Sequence, residues 1–176
     1  MKAKITPNIL KIITIATVTS LVLTVIGLSM MATLGANSMD MAKNEAILHW
    51  FYIQAEDIGS LMDQYTSDAV LYWLGGPLNG VYHGIDNIST VWMKFFNAWE
   101  DEFVNVKNIN RYTIGDKEYV VADVSFLLRS ATTGKYVRLN LTYILVFTEM
   151  DGSLLIMEEW WIIRSAMPLD ITPAMS

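Results

Sequence analysis

Three side chains in this sequence have chemistry suited to acid–base catalysis. His49 is suited to proton transfer because an unperturbed imidazole titrates close to neutral pH. Glu158 lies in an apolar stretch near the C-terminus, where burial without a partner would make its carboxyl group a weaker acid, able to donate a proton. Tyr143 offers a hydroxyl group in the preceding apolar segment. Each also has a structural interpretation: a histidine satisfied by a neighbour, a glutamate paired with an arginine, and a tyrosine that only packs.

Aromatic residues are the second chemical feature of the sequence. The chain has 6 Trp, 8 Tyr and 6 Phe, all of them after position 36. Aromatic residues usually fill a core, but this number in about 140 residues is enough to line a cavity as well. The expected pocket-lining residues are Trp73, Trp92, Phe96, Trp99, Phe126 and Trp160.

Residues 12–36 form an apolar run that contains no charged residue. A helix of this length would cross a hydrocarbon core of about 30 Å, so we expect a transmembrane helix preceded by a basic segment, residues 1–11. A cleaved signal peptide is the alternative. It is disfavoured because the apolar region of a signal peptide is usually only about 7 to 15 residues long.

Charge indicates the topology of the chain and the partners that it excludes. Lys2, Lys4 and Lys11 precede the apolar run, which predicts a single-pass membrane protein with a cytoplasmic N-terminus and an extracytoplasmic domain, or a secreted domain after cleavage. The rest has nine basic and 18 acidic residues, a formal charge of −9 that disfavours nucleic-acid binding. With no cysteine and no metal-binding histidine spacing, we expect neither a metal nor a cofactor.

Hydrophobic periodicity after position 36 predicts three helices and six strands. Gly115-Asp116, Thr133-Gly134 and Asp151-Gly152 are turn sequences that join the last four strands as antiparallel hairpins. The predicted helices are 39–54, 56–67 and 86–99, and the predicted strands are 69–74, 80–84, 103–113, 119–130, 136–148 and 154–163.

The hairpin turns also predict which residues face each other. A loop over 131–134 places Phe126 opposite Leu139. The turn at 151–152 places Glu158 and Trp160 on the same face as Tyr143, with Leu155, Met157 and Trp161 on the other. The last strand is apolar on both faces, so we expect helices to cover one face and a second copy of the chain to cover the other.

This order of elements resembles the nuclear transport factor 2-like superfamily, specifically its SnoaL-like branch. The similarity covers about residues 39–164. It is carried by Asp57-Ile58, the segments 65–70 (YTSDAV) and 80–88 (GVYHGIDNI), and the final Glu158-Glu159-Trp160-Trp161. The resemblance implies an α+β fold: a cone-shaped barrel of a curved antiparallel sheet wrapped around three helices, here preceded by one transmembrane helix. It further implies a SnoaL-like domain over 37–167, a tail over 168–176 and a homodimer through the outer sheet face.

The resemblance carries over only part of the superfamily's catalytic pattern. In isomerase-like members a carboxylate base lies on the first strand, at the position where this chain has Trp73. His49 matches the position of an oxyanion-binding tyrosine, and an acid donor falls at or beside Tyr143. Because the base is missing, isomerase activity of that type is disfavoured.

Three functions are consistent with these residues, because proteins that share one fold can have different functions. The leading hypothesis is a membrane-anchored domain that binds a small apolar or amphipathic molecule in an aromatic-lined pocket. The first alternative is a lyase, isomerase or cyclase that uses His49 with Glu158 or Tyr143. The second is a non-catalytic dimerisation or interaction module.

Overall fold

The computed structural model describes residues 40–169, without the side chains of residues 101 and 102. The predicted membrane span and basic segment, together with the end of the predicted tail, lie outside these residues. Among residues 40–169, no helix has both the length and the apolar composition needed to cross a bilayer. The elements in chain order are α1 (Met41–Gln54), α2 (Ile58–Met62), β1 (Tyr65–Leu74), β2 (Gly80–His83), α3 (Ile85–Ala98), β3 (Trp99–Ile114), β4 (Lys117–Ser130), β5 (Tyr136–Met150) and β6 (Ser153–Leu169).

The six strands form one curled sheet in the order β2-β1-β6-β5-β4-β3. The pairs β3–β4, β4–β5 and β5–β6 are antiparallel hairpins, as their turns predict. The expectation of a wholly antiparallel sheet is wrong at one place, because β1 runs parallel to β6. This pairing joins distant parts of the chain, so no turn sequence indicates its direction. β6 also continues to Leu169, beyond its predicted end, because Tyr136 to Arg138 of β5 pair with its last residues.

The predicted register of β4 and β5 is confirmed: Phe126 lies opposite Leu139 and Val124 opposite Leu141. The turn between β5 and β6 is also the predicted one. Asp151 and Gly152 both have positive φ angles, 51° and 79°, as a two-residue type I′ turn requires.

A β-bulge at Met157 overturns the predicted faces of β6. From the turn, the pairing runs regularly to Phe147 opposite Ile156, and the next pair is Val146 opposite Glu158. Met157 is therefore an extra residue, and the side chains from Glu158 to Ile163 move to the opposite face. As a result Glu159 and Trp161 share the interior face with Tyr143, while Glu158 and Trp160 lie on the outer face. A second extra residue, Arg164, reverses the exchange for the last residues of β6.

The helices cover the interior face of the sheet. Burial on α1 follows one stripe, which consists of Ala42, Ala46, His49, Trp50 and Ile53. α2 is a single short turn capped by Asp57, whose side chain accepts a hydrogen bond from the Ser60 backbone N–H at 3.1 Å. It ends before Tyr65, which the helical pattern had included.

An aromatic cluster fills the centre of the interior. Trp161 stacks on Trp73 at 4.4 Å and on Phe126 at 4.9 Å between ring centroids. Trp92 and Phe95 of α3 meet the edge of the same indole, each at 5.4 Å. All five rings are 2% exposed or less, so the helix and the sheet are joined by close aromatic packing.

Candidate functional site

Four polar side chains meet in the interior of the domain: His49, Tyr65, Tyr143 and Glu159. We call them the buried quartet. They come from α1, β1, β5 and β6, so only tertiary packing brings them together. None is more than 4% exposed. A set of polar groups excluded from water in this way must satisfy its hydrogen bonds internally.

The Glu159 carboxylate is the common acceptor of the quartet. The Tyr143 hydroxyl donates to Oε1 and the Tyr65 hydroxyl donates to Oε2, both in short hydrogen bonds. The indole N–H of Trp92 donates in turn to the Tyr65 oxygen at 3.2 Å. His49 Nε2 lies 3.0 Å from the Tyr143 oxygen and 3.5 Å from Glu159 Oε1. Each carboxylate oxygen therefore has a phenol partner, and the imidazole is close enough to form an ion pair.

Gln64 determines which nitrogen of His49 carries a proton. Its amide nitrogen lies 3.1 Å from the backbone oxygen and 3.5 Å from the carboxylate of Glu45, both of which only accept hydrogen bonds. The amide oxygen must then face His49 Nδ1, at 3.1 Å. Because this oxygen can only accept, Nδ1 carries hydrogen, and Nε2 is the nitrogen that faces Tyr143 and Glu159.

Two proton arrangements satisfy the same contacts. In the first, His49 is protonated on both nitrogens, Nε2 donates to the Tyr143 oxygen, and both tyrosines donate to an ionised Glu159. In the second, Glu159 is protonated and donates to the Tyr143 oxygen, and Tyr143 donates to Nε2 of a neutral His49. The two differ by shifting one proton along each hydrogen bond, so Tyr143 is positioned to relay a proton between the acid and the base.

Tyr65 has a fixed role as a donor in this network. Burial raises the pKa of its hydroxyl well above the ordinary value of 10.0, and the adjacent Glu159 carboxylate raises it further. The hydroxyl is therefore protonated at any physiological pH. It holds one oxygen of Glu159 while the other oxygen faces Tyr143.

A cavity of about 450 Å³ opens elsewhere on the same interior surface, and we call it the apolar cavity. Fourteen residues line it, and Lys94 is the only charged one among them. The loop at Gly75-Gly76 contributes to its wall. A Cβ atom at either glycine would approach Ile163 within 3.2 Å, and both have positive φ angles, so glycine is required in this loop. The principal walls are Trp73, Phe95, Trp99, Leu128, Val137, Leu139 and Ile163.

The cavity and the quartet are separate regions. On β6, Ile163 lines the cavity, Trp161 follows on the same face, and Glu159 comes next. Four residues of strand correspond to about 13 Å, so the Trp161 indole lies between the cavity wall and the carboxylate. The Trp161 indole N–H is buried and has no hydrogen-bond partner within the described residues.

The structure brings two of the three predicted acid–base residues together, His49 and Tyr143. The third, Glu158, lies half-buried on the outer sheet face, where its carboxylate is 3.3 Å from the Trp160 indole N–H. The predicted shared face for Glu158 and Tyr143 is wrong because of the bulge at Met157. Glu159, which was not among the predicted site residues, occupies the interior position.

The predicted pocket residues lie in several different places. Trp73 and Trp99 line the apolar cavity. Trp92 and Phe126 are fully buried in the aromatic cluster, and Phe96 stacks on Trp92 at 5.6 Å. Trp160 is on the outer face, stacked on Tyr72 at 3.9 Å, for the same reason that displaces Glu158.

The sequence also did not predict that Tyr65 and Gln64 contact the site residues. Tyr65 fitted the helical spacing of the preceding segment, although it begins β1. The only local signal was the strand-favouring Thr66 beside it, because Ser67, Asp68 and Ala69 separate Tyr65 from the apolar run that begins at Val70. Gln64 had no such signal, because its role depends on the contact with a histidine 15 residues away.

Known structures share this fold. A hexachlorocyclohexane dehydrochlorinase from Novosphingobium barchaimii superposes with a TM-score of 0.64 at 17% identity, over 78% of this chain and 100% of that one. A ketosteroid isomerase-like protein from Erwinia carotovora atroseptica gives 0.63 at 19%, over 73% and 99%. A nuclear transport factor 2-like protein from Cytophaga hutchinsonii gives 0.57 at 13%, over 72% and 98%. The sequence matches no protein-family model and no curated protein.

The domain therefore has the nuclear transport factor 2-like fold, in which a curled mixed sheet and three helices enclose the interior within residues 40–169. At these identities the likeness shows the fold alone. The activities of the neighbours, which include a dehydrochlorinase and an isomerase-like protein, belong to those proteins. In the part of the chain that the structure describes, no group of three His, Asp or Glu side chains is arranged to hold a metal ion.

Proposed function

We propose that this domain binds a small, mostly apolar molecule in the apolar cavity. The observation that carries the proposal is the cavity itself, about 450 Å³ with walls of aromatic and aliphatic side chains. This volume falls within the range of small-molecule sites, roughly 300 to 1,000 Å³. Apolar walls favour a ligand through the removal of apolar surface from water, at about 25 cal/mol per Å².

The separation of the cavity from the buried quartet favours binding over catalysis. A ligand held by Trp73, Trp99 and Leu139 would lie behind the Trp161 indole, out of hydrogen-bond reach of the His49 and Glu159 side chains. Acid–base groups act when they lie within about 3 Å of the proton that they transfer. The quartet is not placed to act on a molecule in this cavity.

A variant that fills the cavity tests the proposal. Ala166 is exposed and lines the cavity, so Ala166→Trp would place an indole in the ligand space without disturbing the core. We expect the wild-type domain to bind a naphthalene derivative, measured by calorimetry, and Ala166→Trp to bind it at least about tenfold more weakly.

The matched control is Ala55→Trp, the same change at an exposed position that does not line the cavity. It should bind as the wild type does. Equal binding by Ala166→Trp and the wild type, with both folded by circular dichroism, would place the ligand elsewhere and contradict the proposal.

A second candidate function is acid–base catalysis by the buried quartet. Two observations favour it: Tyr143 is placed to relay a proton between His49 and Glu159, and the Trp161 indole N–H is buried without a partner. An unpaired buried donor costs about 1 to 3 kcal/mol, and a substrate carbonyl oxygen would satisfy it. Trp161 lies beside Tyr143, with ring centroids 5.4 Å apart. The reaction class would be proton transfer next to a carbonyl group, and the substrate would have to displace the Trp161 side chain.

This second function is tested with a cyclic β,γ-unsaturated ketone, whose isomerisation to the conjugated ketone is followed by ultraviolet absorbance. Catalysis by the wild type, its loss in Glu159→Gln and its retention in Glu158→Gln would support it. A wild-type rate equal to that of the buffer would count against it, whatever the variants do.

We also propose that residues 12–36 anchor the domain in a membrane, with the N-terminus cytoplasmic and the domain extracytoplasmic. The support is the uncharged apolar run and the three lysines that precede it. In intact cells that make the full chain, protease added outside should degrade the domain. If the domain survives while other exposed proteins are degraded, the orientation is wrong.

The homodimer through the outer sheet face likewise stays a proposal. Its support is the half-buried apolar surface around the Tyr72–Trp160 stack and Ile144. Trp161, expected on that face from the hairpin turn, is buried in the interior and takes no part. Sedimentation of residues 37–176 should give twice the monomer mass, and Ile144→Glu should return the monomer.

A further inference from the structure

Lys94 is the one charged residue among the fourteen that line the apolar cavity. It lies on α3, one residue before Phe95, whose ring forms part of the wall. The other thirteen lining residues are apolar or glycine. A single ammonium group at an otherwise apolar site distinguishes one end of a ligand from the other.

Lys94 is in no ion pair with a side chain that the structure describes. Three arginines of the described residues form ion pairs: Arg111 with Glu118, Arg129 with Glu100, and Arg164 with Asp123. Lys94 forms no such pair with the side chains of residues 40–100 and 103–169, although acidic residues outnumber basic ones in the sequence. The ammonium group is available to a ligand.

The position of Lys94 at the solvent-facing side of the cavity suits an amphipathic ligand. Its side chain is exposed, whereas Trp73 and Phe95 of the same wall are buried. A lysine stem packs along apolar surface and holds its ammonium group in water. An anionic group beside that ammonium would remain partly hydrated, while the apolar body of the ligand fills the cavity.

We infer that the ligand of the apolar cavity is an amphipathic monoanion, an apolar body that carries one carboxylate, with the carboxylate paired to Lys94. The inference rests on the proposed binding function and specifies its ligand class. Aromatic walls from Trp73, Phe95 and Trp99 favour a flat ring system as the body.

Two probes with the same ring system, one with an anionic and one with a neutral head group, test the inference. Naphthaleneacetate and naphthylethanol share the same ring system, and calorimetry measures the affinity of each for the wild type and for Lys94→Gln. The wild type should bind the carboxylate roughly three- to fivefold more tightly than the alcohol, the preference of a partly exposed ion pair. Lys94→Gln should bind both alike, and added salt should reduce the wild-type preference.

Lys107→Gln is the control, because this lysine is exposed and does not line the apolar cavity. It should keep the preference for the carboxylate. Equal binding of both probes by the wild type would overturn the inference and leave the binding function standing. If neither probe binds, the proposed function fails and this inference falls with it, so the two failures are distinct.

Discussion

The apolar cavity and the buried quartet are built from the same strands, yet they are opposite in character. On β5, Leu139 lines the cavity and Tyr143 belongs to the quartet, with Leu141 between them on the same face. On β6, Ile163 lines the cavity and Glu159 belongs to the quartet, with Trp161 between them on the same face. One face of two strands thus leads from an open apolar site to a closed polar one within about 13 Å.

The difference shows how the two regions obtain their stability. The quartet excludes water and satisfies its polar groups with one another, so the loss of one member leaves the others without partners. The cavity leaves apolar surface uncovered, and its walls lack neighbours on one side. Substitutions in the quartet should therefore lower the free energy of unfolding strongly. Substitutions at the cavity should lower it less, because a ligand can supply the missing contacts there.

The largest expected effect is that of removing the common acceptor, Glu159→Ala. Two phenol hydroxyls and His49 would lose their buried partner, and the free energy of unfolding should fall by about 3 to 5 kcal/mol. Urea unfolding measures the change.

The adjacent residue provides the control for this comparison. Glu158→Ala removes an equal side chain from the outer face, where the carboxylate has one contact at 3.3 Å, and should cost less than about 1 kcal/mol. Similar losses for the two variants would mean that the bulge at Met157 does not set the faces of β6 as described.

A smaller effect is expected along β5, where Leu141 and Leu139 share a face. Leu141 is fully buried, and Leu141→Ala should cost about 3 kcal/mol through lost contacts and a new cavity. Leu139 already borders an open cavity, so Leu139→Ala should cost at least about 1 kcal/mol less. Urea unfolding of both variants makes the comparison, and a costlier Leu139→Ala would contradict the open cavity.

The smallest effect is a pH dependence that belongs to the quartet alone. Since the pKa of Tyr65 is raised in the folded state, its stabilising contribution is complete below the ordinary value of 10.0 and is lost as the pH rises above it. One proton released on unfolding corresponds to a slope of about 1.4 kcal/mol per pH unit.

Tyr65→Phe should remove this contribution, so its unfolding free energy should fall less steeply than that of the wild type between pH 10 and about 11. Tyr112→Phe is the control, because the Tyr112 ring is 53% exposed and meets water in both states. Urea unfolding at several alkaline pH values makes the measurement, and identical slopes for the wild type and Tyr65→Phe would refute the assignment.

Much of the sheet follows from local sequence. The turn sequences predicted the three hairpins, and the loop after Ser130 predicted the register of Phe126 opposite Leu139, because a short turn leaves two strands little choice of alignment. Long-range pairing is different. The parallel alignment of β1 with β6 joins Tyr65 to Ile156 across 91 positions, and no local signal specifies it.

One inserted residue, Met157, decides which glutamate belongs to the buried quartet, and local sequence does not predict this insertion. Glu158 and Glu159 are adjacent and identical in chemistry, and an unbroken alternation from the turn at Asp151 selects Glu158. The extra residue at Met157 selects Glu159 instead. Because side chains alternate with a period of two, this single bulge exchanges the interior and outer faces from Glu158 to Ile163, up to a second bulge at Arg164.

By itself the sequence determined the order of most elements, the three hairpins and a helix that carries His49, since these follow from periodicity and turn chemistry over a few residues. Only the tertiary structure decided which carboxylate joins His49, that Tyr65 and Gln64 complete its contacts, and that the cavity lies apart from them. These depend on contacts between residues 15 to 94 positions apart, which packing forms after the local elements exist.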